Sequence, residues 1–195
     1  MAVIADRRIA GAAACFAGLA IVASPGDGGL LADADRALFE LVRTHRGRPG
    51  TAVARVVSAF GEPAVVYPLL VAGGAIRQSD WQRRYLSCLA VVTGAVVRRR
   101  LSRVIARQRP PADAWLIAPE GYSLPSKHTT LAALAAGAGV HALDVRGGTA
   151  RAAPLLAAAC VGASRVYLGV HWPTDVVAGW LFAEGWLRLT GFRAT

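Results

Sequence analysis

Lysine is almost absent from this chain: of 22 basic residues only Lys127 is a lysine, and the rest are arginine. Acidic residues are also scarce, 12 against those 22, which leaves a net charge of +10. With few carboxylates, and none of them clustered, the chain offers no acidic cage for a metal ion. Its three cysteines, Cys15, Cys88 and Cys160, stand far apart inside apolar segments without CxxC spacing. That argues against a zinc site or a disulfide framework and for buried free thiols. Long apolar runs are few. A bilayer crossing needs ~20 residues, and only Val56–Ile76 is long enough by itself. No internal repeat is present, and alanine richness is the only compositional bias.

What is present points to a membrane. Of 195 residues, 54% are hydrophobic and 17% charged, with a mean hydropathy of +0.41. The length fits a single integral-membrane domain over residues 1–195. Six apolar segments stand out: Ile9–Ser24, Val56–Ile76, Tyr85–Val97, Thr129–Leu143, Ala152–Ala163 and Val176–Leu189. They are apolar nearly all round and rich in Ala, Val, Leu and Gly, as close-packed membrane helices are. Extension into flanking arginines such as Arg8, Arg84 and Arg98, reaching toward the interface, gives the short ones length. Trp172 and Trp186 bracket the last segment, as aromatic anchors at two interfaces would. The fold class expected is therefore all-α, a bundle of six transmembrane helices. Arg7 and Arg8 ahead of the first segment also fit a signal peptide, but a first membrane helix is the expectation.

Between the first two segments, Leu31, Ala34, Leu38, Leu41 and Val42 recur at helical spacing among Asp33, Asp35, Arg36, Glu40 and Arg43. This pattern predicts a short amphipathic helix lying at the membrane interface, or else a solvated helix packed on the protein. The positive charge predicts anionic partners: the bilayer surface and a phosphorylated lipid. Nucleic acid is not expected, because the arginines sit between apolar runs rather than on a polar domain.

The residues able to do chemistry fall in three polar islands: Arg98–Pro111, Gly121–Thr130 and Ser164–Asp175. In a six-span chain the loops after the third and fifth spans share one side, so the islands converge. In the second, Ser126 suits a helix cap and Pro125 a first turn, leaving backbone N–H groups aimed at an anion. In the third, Pro173 starts a helix with His171 just ahead of it and Asp175 in its first turn. A carboxylate there accepts a hydrogen bond from one imidazole nitrogen and leaves the other free to attack. Arg109 and Arg165 present planar forks that match phosphate oxygens. Arg98–Arg100 read as contacts to lipid headgroups. Each island alone is also what a capped helix or a local polar contact looks like; together they point to phosphate.

Taken in order, the motifs resemble those of the type 2 phosphatidic acid phosphatase (PAP2) family, whose pattern is K-x6-RP, then PSGH, then SR-x5-H-x3-D. The matches are Arg109-Pro110, Pro125-Ser126-Lys127-His128, and Ser164-Arg165 with His171 and Asp175. Two positions depart from the pattern: Ser102 stands where the family carries lysine, beside Arg103, and Lys127 replaces the glycine of PSGH. The resemblance implies that His171 attacks phosphorus, Asp175 orients its ring, and His128 serves as acid and then base. It further implies a phosphate cradle of Arg109, Ser126, Lys127 and Arg165, with Ser102 and Arg103 as further candidates and Lys127 as stand-in for the missing lysine. No metal or other cofactor is implied. The substrate implied is a phosphomonoester or diphosphate of a polyprenyl or diacylglycerol lipid, cleaved through a phosphohistidine.

Two rival readings are a phosphotransferase of the same superfamily and a non-catalytic lipid-binding or transport protein. Against the second, binding alone needs cations but not an acid–nucleophile–orienter set. Glu62 and Glu184, inside apolar segments, are expensive unless partnered, and a structural role is expected for both, near a helix end or facing a neighbouring helix. His45 and His141 read as surface or packing residues. The Lys/Arg distribution does not fix sidedness; the resemblance implies an extracytoplasmic site in a bacterial inner membrane. Oligomeric state is not legible.

Overall fold

Runs of Ala, Leu and Val with helix-starting prolines give helix wherever the sequence is apolar. The computed structural model describes residues 2–24, 29–76 and 81–192. Among them are eight α-helices and no strand: α1 (Ala2–Ala23), α2 (Leu30–Thr44), α3 (Arg48–Ala59), α4 (Pro63–Ile76), α5 (Trp81–Ile105), α6 (Lys127–Ala142), α7 (Gly148–Tyr167) and α8 (Pro173–Leu189). A 3-10 turn, Ala112–Ala114, lies in the long loop between α5 and α6.

Helix α6 is the axis of the bundle, packed by α4, α5, α7 and α8. Its Leu131, Ala133, Leu134 and Ala138 are buried against Val66, Val91, Ala158, Ala183 and Leu187. Small residues permit that proximity: a Cβ at Gly137 would strike Leu187, and one at Gly162 would strike Val176. Outside this centre, α1 lies along α8, and α3 along α7.

The apolar run Val56–Ile76, expected as one crossing, is two helices. The chain turns at Phe60–Glu62, and the segments Arg48–Ala59 and Pro63–Ala72 meet at 53°. Pro63 opens α4, and Gly61 explains the position of the turn. A Cβ on Gly61 would lie 2.7 Å from both Cβ and O of His128, so only glycine lets this corner rest on the first turn of α6. No single described helix is long and apolar enough to cross a membrane alone, whereas this bent pair is.

Other expectations change with the packing. Trp186 faces inward, donating to the Ala90 carbonyl at 2.9 Å and stacking on Phe182. Trp172 lies against Phe39 and donates to the Gln108 carbonyl. Neither ring is a free anchor. The cysteines form no disulfide among the described residues, and they are not the buried thiols expected: Cys15 and Cys88 are half-buried and Cys160 is exposed. As expected, His45 is exposed, and His141 packs on Phe192. Glu184 is buried and paired with Arg188 one turn on, at 2.8 Å, the structural role foreseen for it.

Candidate active site

The starts of α6 and α8 share a hydrogen bond, from the Ser126 N–H to the Asp175 carbonyl at 3.1 Å. Around it the three polar islands meet. After α7 the chain turns at Gly169, whose φ of +82° lies in the left-handed region. A Cβ there would strike the Ala114 carbonyl, so glycine is required twice over. The turn delivers His171 into the interior, 1% exposed.

His171 Nδ1 is 3.2 Å from Asp175 Oδ2, and His171 Nε2 is 3.2 Å from Arg109 Nη1. A guanidinium only donates and a carboxylate only accepts. The proton therefore sits on Nδ1, and the unprotonated Nε2 accepts from Arg109. Burial first, then the charges of Arg109, Arg165 and Arg98, push the His171 pKa well below the ordinary imidazole value. The ring is held neutral. Asp175 is held in turn: its carboxylate accepts from the Trp172 N–H at 2.8 Å and from Arg107 Nη1 at 2.8 Å.

His171 lines a cleft of about 360 Å³ with Glu62, Glu120, Arg109, Lys127, His128 and Arg165. Arg109 is clamped by carbonyls: Nε donates to Gly121 (2.8 Å), Nη2 to Glu120 (2.8 Å) and Tyr122 (3.0 Å), and Nη1 to Val170 (2.5 Å). Arg165 is 4% exposed and donates from Nη1 to Ser58 Oγ at 2.8 Å. Neither makes an ion pair among the described residues. Arg107 is different: its charge is matched by Asp175 and by Asp35 on α2, at 2.8 and 2.7 Å.

Of the residues expected at the site, His171, His128, Arg109, Lys127 and Arg165 line this cleft, with Asp175 directly behind. Ser126 does not line it. Its hydroxyl, fully buried, caps α6 and bonds Thr129 Oγ1 at 2.9 Å. Lys127 sits at the rim, 3.5 Å from Glu120 and 3.9 Å from Glu62. Ser102 is buried on α5, and Arg103 lines the neighbouring cleft between α4, α5 and α6.

Sequence reasoning missed four residues. Glu62, expected in a structural role, brings its Oε1 to His128 Nε2 at 2.5 Å. Arg98, read as a headgroup contact, is 8% exposed and turned inward. Arg107 and Asp35 form the support behind Asp175, and Asp35 also accepts the Thr174 N–H at 2.8 Å, capping α8 from α2. The only signal for Arg98 was its place one helical turn from Ser102; Asp35 gave none, because it sat among the polar residues of an amphipathic pattern.

Residues 81–191, more than half the chain, match the profile of the PAP2 superfamily. The chain belongs to the PAP2 superfamily. Decaprenylphosphoryl-5-phosphoribose phosphatase of Mycolicibacterium smegmatis is 35% identical, over 74% of this chain and 80% of that protein. An undecaprenyl-diphosphatase of Sulfolobus acidocaldarius is 33% identical over 46% of this chain and 45% of that protein. Among solved structures, the transmembrane PAP2-type phosphatidylglycerolphosphate phosphatase of Bacillus subtilis superposes with a TM-score of 0.79. It is 26% identical and covers 93% of this chain and 94% of its own. All three are phosphatases by name, and the solved one is a transmembrane PAP2 enzyme by name.

Proposed function

We propose that this PAP2 phosphatase hydrolyses the phosphomonoester of a polyprenyl-linked phosphate, forming a phosphohistidine at His171. One observation carries the reading: Arg109 and Arg165 converge, without ion-pair partners among the described residues, on a buried neutral imidazole whose unprotonated Nε2 lies beside the Arg109 guanidinium. Unpaired buried charge is costly, and a phosphate dianion in this cleft supplies the missing counter-charge.

His171 Nε2 attacks phosphorus while the P–O bond to the lipid breaks and His128 gives its proton to the leaving oxygen. Asp175 takes the hydrogen bond of the imidazolium that forms. Water, losing its proton to His128, then attacks the phosphohistidine, releasing inorganic phosphate and restoring both rings. Arg109, Arg165, Lys127 and the backbone N–H groups following Ser126 stabilise the equatorial oxygens. Fixed cations meet the charge demand, so turnover is expected to persist in EDTA. The polyprenyl class is favoured over diacylglycerol by the decaprenyl- and undecaprenyl-specific names of two relatives. A diphosphate is the second reading, favoured by Lys127 at the rim, where a second phosphate would lie.

The outward faces support placement in a bilayer: Tyr85, Leu86, Leu89, Val92 and Val96 of α5 and Leu155 and Leu156 of α7 are exposed apolar residues. In this reading α1, the bent α3–α4 pair, α5, α6, α7 and α8 make six crossings, α2 lies at the interface, and the site faces outside the cytoplasm. The test is phosphate release in detergent with EDTA from decaprenylphosphoryl-5-phosphoribose, undecaprenyl diphosphate, phosphatidylglycerolphosphate and phosphatidic acid. His171→Ala runs alongside. Release from the polyprenyl substrates, lost in the variant, supports the reading. Release only when an acceptor lipid is added would transfer the assignment to a phosphotransferase.

A further inference from the structure

Arg98 is buried on the inner face of α5, and every hydrogen bond it makes goes to a neutral group. Its Nε donates to the Pro125 carbonyl at 2.7 Å, its Nη2 donates to the same carbonyl, and Nη2 lies 3.4 Å from Ser102 Oγ. No carboxylate forms an ion pair with it among the described residues, a condition it shares with Arg109 and Arg165. Pro125 immediately precedes Ser126, the cap of α6, and so the turn that carries Lys127 and His128 rests on this cation. Arg98 and Ser102 are four residues apart on α5, hence on one face of the helix. With a serine at position 102 there is space for the longer side chain to lie over it.

We propose that Arg98 supplies, from one helical turn earlier, the fixed cation that the motif's lysine would supply at position 102. It acts as a positioning residue: it holds the Pro125–His128 turn and places positive charge behind the cleft without lining it. The electrostatics agree. The cations that act on His171 are Arg109, Arg165 and Arg98, whereas Lys127 at the rim faces Glu62 and Glu120. Arg98, rather than Lys127, is therefore the substitute for the absent lysine. The smaller residue at 102 and the inward arginine at 98 form one device, because a lysine at 102 would occupy the space over which the guanidinium lies.

This inference rests on the phosphatase reading, so the wild-type chain and His171→Ala are measured first on the same lipid phosphate. If the wild type releases no phosphate, the proposed function fails; the variants below then report through the affinity of orthovanadate. With activity established, Arg98→Ala is expected to lower kcat/KM by about 10²-fold, the scale of one lost preorganised donor, and to weaken orthovanadate inhibition. Lys127→Ala is expected to do less. The decisive variant is Arg98→Ala combined with Ser102→Lys, expected to recover most of both losses. Arg98→Gln, which keeps a donor for the Pro125 carbonyl without the charge, should remain impaired, and Ser102→Lys in that background should restore it. If Arg98→Ala does not fold, the Gln pair carries the same comparison. Full activity and unchanged vanadate affinity in Arg98→Gln, or no recovery on adding Ser102→Lys in a folded protein, would overturn the proposal.

Discussion

Glu62, at the corner between α3 and α4, bonds His128 through Nε2, and both residues line the cleft. A carboxylate in an arginine-lined anion site occupies ground that a phosphate oxygen would take. Glu62→Gln is therefore expected to tighten inhibition by inorganic phosphate or orthovanadate by about tenfold, the equivalent of ~1.4 kcal/mol, while lowering kcat. Weaker anion binding in the variant would show instead that Glu62 helps to build the site.

Asp175 fixes the proton of His171 on Nδ1. Asp175→Asn lets the ring adopt the wrong tautomer, and kcat should fall by about 10⁴-fold with KM little changed. A loss smaller than tenfold would mean that Arg109 alone orients the ring.

The pH profile follows from His171. Burial and the surrounding arginines depress its pKa, so the neutral form persists to lower pH than for a free imidazole. Protonation of His171, the proposed nucleophile and the event expected to end activity on the acid side, should therefore occur well below the ordinary value of about 6.5. Measured as kcat/KM across the acid range, an acid limb centred at the ordinary imidazole value and abolished in no other variant would contradict this.

Gly61 has no room for a methyl group. Gly61→Ala should push the α3–α4 corner off α6, costing about 1–3 kcal/mol of stability and displacing Glu62 from His128. Thermal unfolding in detergent reads the first effect and kcat the second. A variant as stable and active as the parent would show that the corner yields freely.

Asp35→Asn tests the support behind Asp175. The amide still offers a carbonyl to the Thr174 N–H, but Arg107 loses one of its two counter-charges. A fall in kcat of about tenfold is expected, the scale of one charge-assisted hydrogen bond, with substrate affinity held. Loss of affinity with kcat intact would place Asp35 in binding instead.

Much of this was legible beforehand. The apolar segments became helices, Pro173 opened α8, and the spacing of Ser164-Arg165, His171 and Asp175 carried the site. The turn within Val56–Ile76 was also written in Gly61-Glu62-Pro63, a breaker that hydropathy averaged away. What the sequence withheld was direction. An arginine beside an apolar run has the same pattern whether it reaches toward headgroups or, like Arg98, into the bundle. Whether a tryptophan meets lipid or, like Trp186, a neighbouring backbone depends on which helix arrives beside it. Asp35 and Asp175 are 140 residues apart in sequence, and only packing joins them through Arg107.

The hydrogen bond from Ser126 to the Asp175 carbonyl has an evolutionary consequence. Both histidines are mounted on a single inner joint, where α6 and α8 begin, while the opposite wall of the cleft comes from the α3–α4 corner and the loop before α6. In the proposed reaction, chemistry and choice of substrate thus reside in different parts of the chain. On the proposed reading the wall can drift at Ile117 or Glu120, and a lineage can take up a new lipid while the reacting atoms keep their spacing.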